Sequence, residues 1–89
     1  MENKILLVED ESSIRSFIKV GFERGKYKIL EAETGEEGIE IARAQKPDIV
    51  ILDIMLPGID GFEVCKILRK EFPQMGIIML TARDLDMDK

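Results

Sequence analysis

The stretch PDIVILDIMLPGIDG, residues 47–61, decides the fold of this chain. Residues 48–53 include the apolar run IVIL at 49–52, and a run of this length and β-branched character predicts a strand buried on both faces of a parallel sheet. Pro47 cannot extend a preceding helix, and Pro57 with Gly58 predicts a turn after the strand. The stretch therefore places one buried strand between the end of a helix and a turn that leads to the next element.

The same alternation of strand and helix continues on both sides of this stretch. Apolar runs predict three more strands, at residues 4–8, 27–32 and 76–81. Helical spacing predicts three helices, from Ser12 to about Arg24, from a cap at Thr34 to before Pro47, and from a cap at Asp60 to about Phe72. The order βαβαβαβ, within a single domain of residues 1–89, is typical of a doubly wound α/β sheet.

The helices are expected to pack on the sheet through apolar faces. The first helix is expected to use Ile14, Phe17, Ile18 and Phe22, and the second Ile39, Ile41 and Ala42. Cys65 on the third helix is interpreted as a small core residue, not as a reactive thiol. No histidine is present, so histidine-based zinc sites and Ser-His or Cys-His catalysis within this chain are excluded.

Charge and hydropathy narrow the classes of function further. The net charge is −5 and the basic residues are scattered, so direct nucleic-acid binding is not expected. The longest apolar runs are far too short to span a bilayer, and residues 1–4 lack the features of a signal peptide. A single cysteine cannot form an internal disulfide, which fits a reducing compartment. A cytoplasmic protein without a membrane partner is therefore expected.

Acidic residues collect where the predicted strands end. Glu9, Asp10 and Glu11 follow the first strand, and Asp53 ends the third. In open α/β sheets ligands sit beyond the carboxyl ends of the strands, and neighbouring strands lie about 4.8 Å apart, so Asp10 and Asp53 would converge. Carboxylates packed this closely repel one another unless a cation is present, and Mg²⁺ prefers such oxygen ligands.

This cluster predicts a Mg²⁺ site, with Mn²⁺ as an alternative ion. A carboxylate at such a site can also act as a nucleophile toward phosphorus. Spacing alone leaves an ordinary structural reading equally open, in which Asp10 or Ser12 caps the first helix and Asp53 is a loop residue.

Three motifs decide between these readings. ILLVEDE at residues 5–11, PDIVILDIMLPGIDG at 47–61 and IIMLTA at 77–82 resemble, in order and spacing, the motifs of response-regulator receiver domains of two-component signalling. The resemblance spans residues 4–82 and implies a flavodoxin-like sheet with the strand order 2-1-3-4-5. It implies a phospho-accepting regulatory domain, not an enzyme, that assists its own phosphorylation and dephosphorylation.

The resemblance also assigns roles to individual residues. Asp53 matches the phosphoacceptor, and Glu9, Asp10, Asp53 and the main-chain carbonyl of Met55 match the metal ligands. Thr81 matches the switch hydroxyl, and the N–H of Ala82 would bind a phosphoryl oxygen. Met55 and Arg83 match positions that modulate the lifetime of the phosphate. The implied partner is a sensor histidine kinase or a phosphotransfer protein.

One part of the family pattern has no counterpart in these residues. Receivers continue into a fourth helix, a fifth strand that ends in a lysine, and a fifth helix; Lys89 comes too early to be that lysine. We therefore expect a domain truncated after the fourth strand, with impaired phosphoryl chemistry and with self-association through strand four and the tail. Two alternatives stay open: an idle structural or self-association module with the receiver fold, and a metal-binding domain without phosphoryl transfer.

Overall fold

A computed structural model describes residues 3–23, 25 and 27–80 of the chain. Strands and helices alternate along this part, with the bounds β1 Asn3–Val8, α1 Ser12–Glu23, β2 Tyr27–Ala32, α2 Gly35–Gln45, β3 Ile49–Asp53, α3 Gly61–Glu71 and β4 Gly76–Leu80. Every predicted strand and helix is present, and the boundaries within the described residues lie within about one residue of their expected positions, the usual uncertainty of helix and strand ends. The predicted ends of the first helix at Arg24 and of the fourth strand at residue 81 lie outside the described residues.

The strands form one parallel sheet in the order β2-β1-β3-β4. The register pairs Leu6 of β1 with Leu30 of β2 on one side and with Val50 of β3 on the other. Because β1 and β3 are neighbours although β2 lies between them in sequence, the strand order reverses at β1. Ligand sites of doubly wound sheets lie at this switch point.

Each face of the sheet packs against helices, as the apolar character of the central strands predicts. One face meets α2 and α3 in a cluster that includes Leu6, Val8, Val50, Leu52, Ala42, Val64 and Leu68. The other face meets α1 through Ile5, Leu7 and Ile51, with Ile18 and Phe22 packed against them. The two central strands are thereby fixed from both sides, and so are the residues that follow them.

The helix caps were predicted correctly. Thr34 Oγ1 accepts a hydrogen bond from the backbone N–H of Glu37 at 3.1 Å. Asp60 Oδ1 accepts one from the N–H of Glu63 at 2.9 Å. Each cap satisfies a donor that the first turn of a helix otherwise leaves unpaired, so it fixes where the helix begins.

The predicted apolar face of α1 was wrong in one member. Phe17 is 76% exposed, whereas Ile18 and Phe22 contact the core cluster. Residues four apart, Ile14, Ile18 and Phe22, lie along one stripe of the helix, and Phe17 lies at the margin of that stripe. No helix in residues 3–23, 25 and 27–80 is both long and apolar enough to cross a membrane.

Candidate functional site

The carboxyl ends of β1 and β3 bring three acidic side chains together. Val8 pairs with Leu52 in the register, so the residues that follow these positions, Glu9 and Asp53, lie side by side. One carboxylate oxygen from each of Glu9, Asp10 and Asp53 lies within 4.8 Å of the other two. The predicted convergence is therefore observed, at the point where the strand order reverses.

Glu9 is buried and only partly hydrogen-bonded. Its side chain is 1% exposed, Oε2 accepts from the N–H of Glu11 at 3.0 Å, and Oε1 has no partner. Burial raises the pKa of Glu9 to about 7, with the charges of Asp53 and Asp10 acting in the same direction against the hydrogen bond from Glu11. A buried carboxylate oxygen without a partner is costly, so this position calls for a ligand or a proton.

Asp53 is held at the end of β3 by its own backbone surroundings. Its side chain is 3% exposed, and Oδ1 accepts from the N–H of Met55 at 3.2 Å. The next residue, Ile54, donates its N–H to the carbonyl of Leu80 on β4 at 3.0 Å. These contacts fix both the strand end and one of the two carboxylate oxygens.

A glycine allows α3 to begin directly against this strand end. A Cβ added to Gly61 would lie 2.3 Å from the carbonyl oxygen of Asp53 and 2.7 Å from Cα of Ile54. The N–H of Gly61 donates to the carbonyl of Ile54 at 3.0 Å, which closes the β3–α3 loop. Only a residue without a side chain permits this approach, so Gly61 determines the position of the loop that carries Asp53 and Met55.

The arrangement fits a hard divalent cation. All three side chains offer carboxylate oxygens, one of those oxygens is buried without a partner, and the buried pair is next to the exposed Asp10. Mg²⁺ takes such oxygens while keeping several waters, and its charge would offset the repulsion between the carboxylates. The set contains no nitrogen or sulfur donor, so it does not suit the softer metals.

Of the remaining predicted site residues, Met55 lies within the described part of the chain and the other three do not. Met55 follows the strand end, its side chain is 53% exposed, and its N–H contacts Asp53. Thr81, Ala82 and Arg83 lie outside the described residues. Cys65, interpreted as a core residue, is half-buried on α3.

Sequence reasoning missed one residue beside the cluster. Arg15 of α1 donates from Nη1 to the main-chain carbonyl of Glu9 at 2.7 Å. Its spacing from Glu9 gave no signal for this contact, because an arginine on the first turns of a helix is most often a solvated charge.

Comparison with known proteins agrees with this geometry. The family model described as "Response regulator receiver domain" matches residues 5–89. The alkaline phosphatase synthesis transcriptional regulatory protein PhoP of Bacillus subtilis is 46% identical over 89 residues, which cover all of this chain and 37% of that protein. The transcriptional regulatory protein AfsQ1 of Streptomyces coelicolor is 45% identical over 84 residues, 94% of this chain and 37% of that protein.

A solved structure has the same fold. The response regulator receiver domain protein of Clostridium thermocellum superposes with a TM-score of 0.85 at 34% identity, covering 94% of this chain and 69% of that one. The fold and the site define an α/β receiver, and this chain belongs to the response regulator receiver domain family of two-component signalling. It spans 37% of the length of the curated relatives it matches.

Proposed function

We propose that Asp53 accepts a phosphoryl group from the phosphohistidine of a sensor histidine kinase or phosphotransfer protein. The observation that carries this proposal is a nearly buried Asp53 carboxylate within 4.8 Å of two other carboxylates at the switch point of the sheet. Oδ1 is engaged by the N–H of Met55, so Oδ2 is the oxygen that attacks phosphorus. The P–O bond forms as the P–N bond breaks, the imidazole nitrogen leaves with its electron pair, and an aspartyl phosphate results.

The acidic cluster would hold Mg²⁺ for this step. Glu9, Asp10 and Asp53 would supply carboxylate oxygens, and Met55 would supply its main-chain carbonyl, with Mn²⁺ able to replace Mg²⁺. The bound ion would neutralise charge on the transferred phosphoryl group. The cluster by itself, as three carboxylates, would repel a phosphoryl donor, so metal dependence is part of the proposal.

The other assignments complete the proposal for the site. Thr81 would turn its hydroxyl toward the phosphoryl group, the N–H of Ala82 would bind a phosphoryl oxygen, and Met55 and Arg83 would set how long the phosphate persists. The 89 residues hold no counterpart of the fifth-strand lysine, so transfer to this chain alone would be slower than in a longer receiver.

The proposed role is regulatory. The domain assists its own phosphorylation and dephosphorylation in the cytoplasm and turns over no separate substrate. PhoP and AfsQ1 are named as transcriptional regulatory proteins. This chain would serve as the receiver part of such a regulator without contacting DNA itself, because its net charge is −5.

Phosphoryl labelling tests the proposal directly. Incubation of the chain with Mg²⁺ and acetyl phosphate should add one phosphoryl group, about 80 Da on a carboxylate nucleophile, as read by mass spectrometry. Asp53→Asn should abolish the adduct and omission of Mg²⁺ should lower it strongly. Asp48→Asn is the matched control, since Asp48 lies just before the opposite end of β3 and accepts a hydrogen bond from the N–H of Lys4 at 2.9 Å. Equal labelling of the wild type and Asp53→Asn would refute the assignment.

A second candidate function, self-association, is favoured by the exposure of the apolar strand β4. Within residues 3–23, 25 and 27–80 this strand pairs only with β3, its residues are half-buried or exposed, and Ile78 is 48% exposed. An apolar edge strand is a template for pairing with another chain. We propose that the 89-residue chain pairs through β4 in a two-fold dimer. Residues 81–89, which the sequence also suggested for this contact, lie outside the described residues.

Sedimentation at micromolar concentration tests this candidate. The wild type should sediment as a dimer, and Ile78→Lys should shift it to the monomer because a lysine on the edge opposes strand pairing. Val20→Lys is the control, since Val20 is also an exposed apolar residue, 62% exposed, but lies on α1. A stable wild-type monomer of 10.1 kDa would eliminate self-association and leave the phosphoryl proposal untouched.

A further inference from the structure

Arg15 occupies an unusual position for an arginine on a surface helix. Its side chain is 13% exposed, and its guanidinium reaches three partners. Nε donates to Oε1 of Glu31 on β2 at 3.1 Å, Nη1 donates to the Glu9 carbonyl at 2.7 Å, and Nη2 lies 3.6 Å from Oε2 of Glu33. The planar, fixed arrangement of guanidinium donors lets one side chain hold these groups in one geometry.

The contact with Glu9 falls on a particular peptide group. The Glu9 carbonyl belongs to the peptide that joins Glu9 to Asp10, so its direction sets where the backbone of Asp10 begins. The other side of Glu9 is held by its N–H, which donates to the carbonyl of Ala32 on β2 at 3.0 Å. Glu9 is therefore fixed at both backbone groups, once by the sheet and once by Arg15.

We propose that Arg15 is a positioning residue of the acidic site: anchored on Glu31 and Glu33, it fixes the Glu9–Asp10 peptide and so directs the exposed Asp10 carboxylate toward the cation. This inference rests on the proposed metal site and assigns it a residue that touches neither ion nor phosphate. Removing a residue that orients the direct ligands without binding the metal itself typically lowers metal affinity by about 10- to 100-fold.

The direction in which metal affinity changes when Arg15 is removed distinguishes positioning from the electrostatic effect of its charge. A guanidinium close to a cation site repels the ion, so through-space charge alone predicts tighter metal binding when Arg15 is removed. Positioning predicts weaker binding. Lys19 provides the comparison, because it lies one turn further along the same helix and pairs with the same residue, Nζ to Oε2 of Glu31 at 3.2 Å. Lys19→Met thus removes an equal charge without touching the Glu9–Asp10 peptide.

The experiment titrates Mn²⁺ into the wild type, Arg15→Met, Arg15→Lys and Lys19→Met, with free Mn²⁺ counted by electron paramagnetic resonance. Arg15→Met should bind about tenfold more weakly than the wild type, while Lys19→Met should bind equally or more tightly. Arg15→Lys keeps the charge but loses the planar fork, so its affinity should fall between those of the wild type and Arg15→Met. Circular dichroism establishes that each variant is folded. If Arg15→Met does not fold, Arg15→Lys takes its place as the test variant.

Two outcomes would overturn the inference. One is binding by Arg15→Met as tight as that of the wild type or tighter. The other is measured without metal, as the chemical shift of the Asp10 amide nitrogen, which shares the peptide with the Glu9 carbonyl. This shift should change more in Arg15→Met than in Lys19→Met. Equal changes in the two variants would refute positioning. If the wild type bound no Mn²⁺, the proposed metal site would be wrong, and the Asp10 amide would still decide whether Arg15 fixes this peptide.

Discussion

Acidic residues near the amino end of the sheet have partners, whereas Glu9, buried at the carboxyl end, keeps one oxygen without a partner. At the amino end, Asp48 accepts a hydrogen bond from the N–H of Lys4, and Glu71 pairs with Arg43. The hydrogen bond from Arg43 lowers the pKa of Glu71. At the carboxyl end, burial raises the pKa of Glu9 to about 7, and its Oε1 has no partner.

The difference shows where this small domain accepts a cost in stability. Partnered surface carboxylates contribute little to stability. An unpartnered buried carboxylate destabilises the domain unless something binds it, which is typical of functional sites. The predictions that follow test this contrast between the two ends, from the largest expected change in the free energy of unfolding to the smallest.

Gly61→Ala should have the largest effect, because the new Cβ would lie 2.3 Å from the carbonyl oxygen of Asp53 and backbone would have to move. We expect the free energy of unfolding, measured by urea denaturation, to fall by about 3 kcal/mol. Phosphoryl labelling, measured by mass spectrometry, should also become weaker. Gly21→Ala is the control, since a Cβ there meets no atom within 4 Å. That variant should be more stable by about 0.5–1 kcal/mol, because alanine favours the helix. Unchanged stability of Gly61→Ala would contradict the steric argument.

Glu9→Gln should stabilise the metal-free domain, and the gain should depend on pH. The folded-state pKa of Glu9, about 7, lies above the ordinary glutamate value of 4.5, so the folded state binds the proton more tightly than the unfolded state. Its contribution to stability is therefore complete below pH 4.5 and is lost as the pH rises to about 7. Glu9→Gln has no such loss, so at pH 8 it should be about 1–3 kcal/mol more stable than the wild type, and near pH 4 the two should converge.

Chemical denaturation in EDTA at a series of pH values measures this difference. Asp10→Asn should also be more stable than the wild type without metal, because one repelling charge is gone. Saturating Mg²⁺ should narrow or reverse this difference, because it stabilises the wild type by about 2.7 kcal/mol at 100 times the dissociation constant and the variants, with one carboxylate fewer, by less. A difference between Glu9→Gln and the wild type that did not vary with pH would show that the buried carboxyl is not protonated in this range.

Asp48→Asn should have the smallest effect of these substitutions. The amide oxygen of asparagine can still accept the hydrogen bond from Lys4, and the site is exposed, so we expect a change within about 0.5 kcal/mol. The change should not depend on Mg²⁺. A large or metal-dependent effect at Asp48 would remove the contrast between the two ends of the sheet.

Local patterns were sufficient to predict most of the architecture. The apolar run at 49–52 and the caps at Thr34 and Asp60 depend only on neighbours in sequence, so strands and helices were placed to within about one residue. Phe17 was misassigned for the same reason, since helical spacing does not say how far the sheet extends beneath α1.

The site was predictable only in outline. The sequence by itself determined that acidic residues follow two buried strands and that the motifs around Asp53 are those of a receiver. Only the tertiary structure decided that Glu9 is buried with an unpartnered oxygen, that Gly61 touches the end of β3, and that Arg15 holds the Glu9–Asp10 peptide. The physical reason is that propensity and periodicity act over a few residues, whereas these contacts arise from the register of β1 against β3 and the packing of helices on the sheet.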